Sequence, residues 1–169
     1  MKTTLCSICL TNYPLVCINC QEKIDSGEIS ELDVRVIRVL INLEKNFSSL
    51  KDITFVRAIQ ANGLIIVLVS RGDSRRLRPA LRKIQRLAGG ELDTTLRIVE
   101  ESRNPQHILR DLIRPVRILG VNTIWLPDNS FERKVRISSR DQSRIPLDIR
   151  RLEEIVYELS GERIRIAFD

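Results

Sequence analysis

All four cysteines of the chain lie within its first twenty residues, in two Cys-x-x-Cys pairs. Cys6 pairs with Cys9, Cys17 pairs with Cys20, and seven residues separate the two pairs. Two such pairs can direct four sulfur atoms toward one point and surround a metal ion tetrahedrally. A site with four thiolate ligands has no open coordination position, so its ion would stabilise a small fold and would not activate water.

The alternative use of these cysteines is a pair of disulfides. No secretory signal precedes the motif, and the rest of the chain contains no cysteine. Because Cys-x-x-Cys pairs in an intracellular chain favour metal ligation, we predict one structural Zn²⁺ held by all four thiolates. No apolar run approaches the ~20 residues that span a bilayer, so we expect a cytoplasmic protein with no membrane partner.

Arginine dominates the charge of the chain, with 22 arginines, 6 lysines and a net charge of +6. The excess concentrates in residues 53–103, which carry ten basic and five acidic residues. Arginine binds phosphate with a planar fork and stacks on bases, which suits nucleic acid. The alternative is a heat-adapted surface in which arginines pair with carboxylates. We define the first arginine cluster as Arg71, Arg75, Arg76, Arg78, Arg82, Lys83 and Arg86.

The residues around this cluster predict a small α/β module. Ser30 and Asp33 favour a capped helix start, and apolar residues at helical spacing predict a helix over 31–47. Strand-like runs over 53–59 and 64–69 flank an Asn-Gly dipeptide, which is typical of a hairpin. A helix is then predicted to begin at Pro79 and to end at Gly89-Gly90. Residues 96–99 predict a third strand.

The remainder of the chain repeats this order. We expect a short helix over 108–113, two strands over 121–126 and 133–137, a helix from Pro146 to Gly161, and a strand over 163–168. The basic loop of this copy supplies a second arginine cluster, Arg140, Arg144, Arg150 and Arg151.

The predicted fold class is therefore α+β with three parts. A four-cysteine zinc knuckle or ribbon occupies residues 1–24, and two α-β-β-α-β modules occupy residues 25–102 and 103–169. In the first cluster, Arg75, Arg78, Arg82 and Arg86 share one face if the helix extends back past Pro79.

The tandem α-β-β-α-β order, with Arg140-Asp141-Gln142-Ser143 at the second basic loop, resembles paired KH modules. Among these it is similar to the archaeal NusA-like family, to which the four-cysteine element would be an N-terminal addition. The resemblance covers about residues 30–168. It implies an RNA-binding protein of transcription elongation or termination, with nascent RNA and RNA polymerase as partners.

One departure from that family concerns the loop that clamps RNA. KH modules hold the nucleic-acid backbone with a GxxG loop, whose glycines let amides approach phosphates closely. The chain contains no GxxG, and the corresponding positions are Leu77-Arg78-Pro79 and Arg144-Ile145-Pro146. Binding would then depend on arginine side chains, which contact phosphates without reading the base sequence.

Aromatic residues and histidine add little to this picture. Phe55, Tyr157 and Phe168 occupy expected core positions, and Trp125 lies in a predicted strand, so the sequence gives little sign of base stacking. His107 is the only histidine and follows a proline near a helix start, which is typical of a surface residue. With no nucleotide-binding or paired-carboxylate motif, we expect neither an enzyme nor a small-molecule substrate.

Three hypotheses remain open at this point. The first is a non-catalytic RNA-associated factor of the NusA-like type. The second is a ribosome-associated zinc protein that binds ribosomal RNA. The third is a protein-interaction adaptor whose KH-like modules have lost RNA binding.

Overall fold

The structure of the protein is a computed structural model that describes residues 1–91 and 94–169, except for the side chains of residues 87–89 and 91. It is an α+β fold with two units, Met1–Ile98 and Val99–Asp169. Each sheet contains three strands, in the orders β1-β2-β3 and β4-β5-β6. No helix in the described part of the chain is long and apolar enough to cross a membrane.

The first unit begins with two short helices, α1 (Ser7–Asn12) and α2 (Ile18–Asp25). Helix α3 (Glu31–Glu44) follows and ends three residues before the predicted boundary. Its predicted cap is confirmed: the Asp33 amide donates to Ser30 Oγ, and the Ser30 amide donates to Asp33 Oδ2. The Asp33 carboxylate also accepts the backbone N–H of Ala58, so one buried side chain joins α3 to the adjacent strand.

The first sheet contains β1 (Phe55–Ala61), β2 (Leu64–Val69) and β3 (Thr95–Glu100). Strands β1 and β2 are antiparallel and meet at the predicted two-residue turn. Both turn residues have positive φ, 42° at Asn62 and 75° at Gly63, a combination that matches the right-handed twist of a hairpin. All six residues of β2 are buried, which identifies it as the central strand of this unit.

The segment between β2 and β3 is helical over most of its length. It contains α4 (Ser74–Leu77), a 3₁₀ turn (Arg78–Ala80) and α5 (Leu81–Glu91). The predicted helix start at Pro79 is therefore wrong, because helical backbone begins five residues earlier and the proline lies within the 3₁₀ turn. The predicted stop at Gly89-Gly90 is also wrong, since α5 continues to Glu91; the Leu87 side chain expected on this helix lies outside the described residues.

The second unit has the same order of elements. Helix α6 (Pro105–Ile113) precedes β4 (Ile118–Trp125) and β5 (Phe131–Ile137), which are antiparallel. A 3₁₀ segment (Ser139–Arg144) then leads to α7 (Ile149–Ser160) and β6 (Ile164–Phe168), which is parallel to β5.

The ends of α7 differ from the prediction at one terminus only. The helix begins at Ile149, three residues after Pro146, because the Asp148 side chain accepts the Arg150 amide and caps it. It ends at Gly161, as predicted, with this residue in the left-handed conformation at φ 75°.

Candidate metal centre and arginine surfaces

The four cysteines converge on one point. One ligand atom from each of Cys6, Cys9, Cys17 and Cys20 lies within 4.8 Å of the other three. The Cys20 and Cys6 sulfurs are 3.9 Å apart. Zn–S bonds of ~2.3 Å in a tetrahedron place sulfur atoms ~3.8 Å apart, so this cluster has the dimensions of a four-thiolate metal site.

Helix starts bring the sulfur atoms together. Cys6 and Cys17 occupy the N-cap positions of α1 and α2, and the second cysteine of each pair follows in the first helical turn. The Cys17 amide donates to Cys9 Sγ at 3.1 Å and links the two pairs. The predicted knuckles are thus helical starts, and residue spacing alone did not indicate these helices.

The four thiols have unequal acidities. Hydrogen bonds from the Cys9 thiol and the Cys9 amide lower the pKa of Cys6 to about 7. The Cys20 amide, with help from neighbouring thiols, lowers the pKa of Cys17. At Cys9 the Cys17 amide acts to lower the pKa, but hydrogen bonding to Cys6 and burial outweigh it and raise the value to about 12. The pKa is thus lowered at the first thiol of each pair, Cys6 and Cys17.

The cysteine element is anchored to the core of the first unit. Cys9 and Cys20 are buried among the residues that pack on α3, whereas Cys6 and Cys17 are exposed. Leu5 and Leu10 belong to the same core, and Lys2 forms backbone hydrogen bonds with Ile53 and Phe55. A metal bound here would therefore stabilise the packing of α3 as well as the cysteine segment itself.

Six residues of the first arginine cluster lie on the exposed side of α4, the 3₁₀ turn and α5, and Arg71 lies in the turn before α4. The opposite side of this helical segment buries Leu77, Ala80 and Ile84 at helical spacing. Arg76 bonds Asp73 at 3.1 Å, and the Lys83 ammonium lies 6.0 Å from the Phe47 ring centre. All seven basic side chains of the cluster are at least partly exposed: Arg71, Arg75, Arg76, Arg78, Arg82, Lys83 and Arg86.

The second arginine cluster is more strongly compensated by carboxylates. Arg144 pairs with Asp141 at 3.1 Å, and Arg151 pairs with Glu154 at the same distance. Arg140 and Arg150 are exposed. Two of the four arginines in this cluster thus pair with carboxylates on the surface, which is the alternative role of arginine that the sequence left open.

Exposed aromatic residues are the feature that sequence reasoning missed. Trp125 is 70% exposed and packs against Phe131, with ring centres 5.5 Å apart. Tyr157, expected in the core, is 48% exposed, and the Arg163 guanidinium lies 5.6 Å from its ring centre. Phe55 is buried as expected. The polar residues Asp128 and Asn129 after β4 were the one signal in the sequence that this end of the hairpin is exposed.

Comparisons with known proteins show the fold and leave function open. No family model and no curated protein match the chain. A solved structure described as "Crystal structure of APE1850" aligns with 82% of this chain and 100% of its own length, with a TM-score of 0.54 and 21% sequence identity. At that identity the likeness indicates a shared fold alone.

Proposed function

We propose that the protein is a non-catalytic RNA-associated factor that holds one structural zinc ion and binds RNA through the first arginine cluster. The observation that carries the proposal is the two-sided helical segment 74–91, which buries Leu77, Ala80 and Ile84 and exposes six of the seven cations of the cluster. A one-sided row of guanidinium groups favours phosphate contacts, which give affinity without base selectivity.

Zinc is the metal that best fits four thiolates. Soft sulfur ligands in a tetrahedron favour Zn²⁺ over Mg²⁺, Ca²⁺ or Mn²⁺. Reduced thiols also favour a reducing compartment, and we therefore place the protein in the cytoplasm. Metal content of protein purified without added metal tests the assignment, and Co²⁺ exchange should give the sulfur-to-cobalt absorption of a tetrahedral thiolate site. A Cys17→Ser variant that keeps its metal would contradict it.

The KH-like and NusA-like parts of the proposal depend on the repeated element order. Both units contain a helix, an antiparallel strand pair, a basic helical segment and a third strand. On this basis we propose two KH-like modules and a role in transcription elongation or termination. RNA polymerase would be the protein partner and nascent RNA the ligand.

The RNA contact is tested by salt dependence and a matched pair of variants. The Arg78→Ala/Arg82→Ala variant removes two charges from the cluster, and Arg35→Ala/Arg38→Ala removes two charges from α3 as the control. Binding of a fluorescein-labelled oligouridine is measured by anisotropy across a salt series. The logarithm of the affinity falls as the logarithm of the salt concentration rises, by ~0.7 for each phosphate contact on a single strand. Because the first variant loses two contacts, we expect this fall to become shallower by about 1.4.

Two results would count against the first cluster. Equal affinity for both double variants would place the RNA contact elsewhere, and a slope near zero for the unmodified protein would remove the electrostatic contact. Crosslinking and sequencing of bound RNA in cells then separates nascent messages from ribosomal RNA. A single ribosomal patch would favour the ribosome-associated alternative.

A second candidate function, that of a protein-interaction adaptor, is favoured by one observation. Ile8, Leu15 and Ile18 of the cysteine element are between 70% and 80% exposed, and exposed apolar groups beside a rigid metal site suit a protein contact. Binding to a protein partner that is insensitive to salt and is lost in Ile8→Ser/Ile18→Ser would favour the adaptor.

A further inference from the structure

The edge strand β4 differs from the other strand edges of the molecule. Among the strands that the structure describes, β4 pairs with β5 alone, so its other side presents unpaired backbone groups. Its eight residues, Ile118–Trp125, include no charged residue and no proline. Three of its large apolar side chains are exposed: Leu119 at 56%, Ile124 at 45% and Trp125 at 70%.

The opposite edge of the same sheet carries the protection that β4 lacks. The Ile166 amide of β6 donates to Glu153 Oε1 at 2.8 Å, which satisfies a backbone group that would otherwise face a second strand. Arg165 adds a charge to that edge and bonds Glu153 at 3.2 Å. Proteins use such charges and caps to prevent edge-to-edge association.

The first sheet is protected in similar ways. Strand β1 carries the charged Arg57, and its Ala58 amide donates to the Asp33 carboxylate. Strand β3 carries Arg97 and Glu100. Among the described strands, a long, uncharged and apolar edge is therefore specific to β4, and we propose that it pairs with β4 of a second copy of this chain in a two-fold symmetric, antiparallel dimer.

The sequence of β4 is self-complementary in one register. With Asn122 of each copy on the two-fold axis, Trp125 lies opposite Leu119 of the second copy, at the register shift that β4 shows between Ile118 and Gly120. Val121 faces Thr123 and Gly120 faces Ile124 in the same register. Aromatic–aliphatic pairs and β-branched pairs across antiparallel strands are stabilising, and the two central amides can bond to one another.

An unpaired strand edge favours a protein strand over RNA, because its backbone groups bond to another peptide backbone. Strand β4 itself carries no cation and the turn that follows it carries Asp128, while β5 places Arg133, Lys134 and Arg136 beside β4. The pairing of one strand with a few apolar side chains buries an area near or below ~1,200 Å², the range of weak and transient interfaces. An interface of that size is typical of a weak dimer that forms reversibly.

Charge placed on the axis provides the test. Asn122 is exposed, so Asn122→Lys and Asn122→Glu leave the fold intact while they set like charges opposite one another. Sedimentation equilibrium should show reversible dimers of the unmodified protein and about tenfold weaker association of each variant. An equimolar mixture of the two variants should associate again as a heterodimer, and Asn122→Thr should dimerise like the unmodified protein.

Trp125, the single tryptophan of the chain, supplies an independent readout. Its emission should shift to shorter wavelength as the concentration of the unmodified protein rises, because Leu119 of the second copy covers the ring. In Asn122→Lys the emission wavelength should stay constant as the concentration rises. A monomer at all concentrations would overturn the proposal. So would dimers that Asn122→Lys leaves unchanged, or quenching of Trp125 by oligouridine in monomeric protein, which would make this surface a base-stacking site.

Discussion

At the scale of single residues, the chemistry resides in four thiols with different surroundings. Cys9 and Cys20 are buried and join the core, whereas Cys6 and Cys17 are exposed at helix starts. Their roles as a convergent set were predictable from spacing, because Cys-x-x-Cys pairs direct two sulfurs to one point. Their unequal burial was not predictable, since it depends on the packing of α3 against the two short helices.

Replacement of a buried ligand should remove the metal and weaken the first unit. We expect Cys9→Ser to lose bound metal and to lower the free energy of unfolding by ~3 kcal/mol or more, because metal binding is coupled to folding. Metal analysis and urea unfolding measure both effects. Ser7→Ala, in the same motif and exposed, is the control that should retain metal and stability.

Asp128 gives a pH-dependent prediction. The Ser130 hydroxyl and amide donate to its Oδ1, at 2.6 and 3.0 Å, and lower its pKa. Since the pKa of Asp128 is lower in the folded state than in the unfolded state, the ionised carboxylate stabilises the folded protein. This contribution is fully present above the unfolded-state pKa and is lost as the pH falls through the folded-state pKa. In Ser130→Ala the pKa of Asp128 should rise, as followed by carboxyl NMR titration. An unchanged titration would show that the hydroxyl is not the cause.

At the scale of elements, α3 is fixed by a side chain that serves two elements. Asp33 accepts the Ser30 amide at the helix start and the Ala58 amide in β1. We expect Asp33→Ala to cost roughly 3 kcal/mol, from a lost cap and a buried strand amide without its partner. Urea unfolding measures this cost, and Asp33→Asn, whose single side-chain oxygen can accept one of the two amides, should lose less. Equal losses for both variants would argue that one accepted amide without the other stabilises nothing.

Two helix-terminal glycines form a matched pair. Gly161 has φ 75° at the end of α7, whereas Gly90 is helical and has open space around its Cβ position. Gly161→Ala should destabilise the protein by about 1 kcal/mol, and Gly90→Ala should stabilise it by up to about 1 kcal/mol. Thermal unfolding of the two variants distinguishes them by sign.

The same glycines show what sequence reasoning could predict for elements. Asn62-Gly63 and Gly161 were recognised because their positions need positive φ, a local property. Pro79 and Pro146 misplaced two helix starts. In the first case upstream residues were already helical, and in the second the Asp148 side chain set the start. Gly89-Gly90 misplaced a helix end because α5 continues through them.

At the scale of the whole molecule, the repeated element order was visible in the sequence as two similar series of apolar runs, prolines and arginines. What the sequence could not show is how differently the copies use their arginines. Two of the four arginines in the second cluster, Arg144 and Arg151, pair with carboxylates one helical turn away, whereas in the first cluster, among the described residues, one of seven cations, Arg76, does so with Asp73. The sequence indicated the exposure of Trp125 only through Asp128 and Asn129, since this exposure depends on which strand forms the sheet edge.

Metal removal should destabilise the first unit and leave the stability of the second unit unchanged. The cysteines pack into the core of residues 1–98, which includes Leu40, Leu43 and Ile65. On addition of a strong chelator to the whole chain, we expect hydrogen exchange to accelerate in α1, α2 and α3 and to stay unchanged in α6 and α7. Exchange measured by mass spectrometry with and without restored Zn²⁺ distinguishes reversible loss of metal from damage. Uniform acceleration along the chain would mean that the two units unfold as one, and no acceleration would mean that the metal does not stabilise the fold.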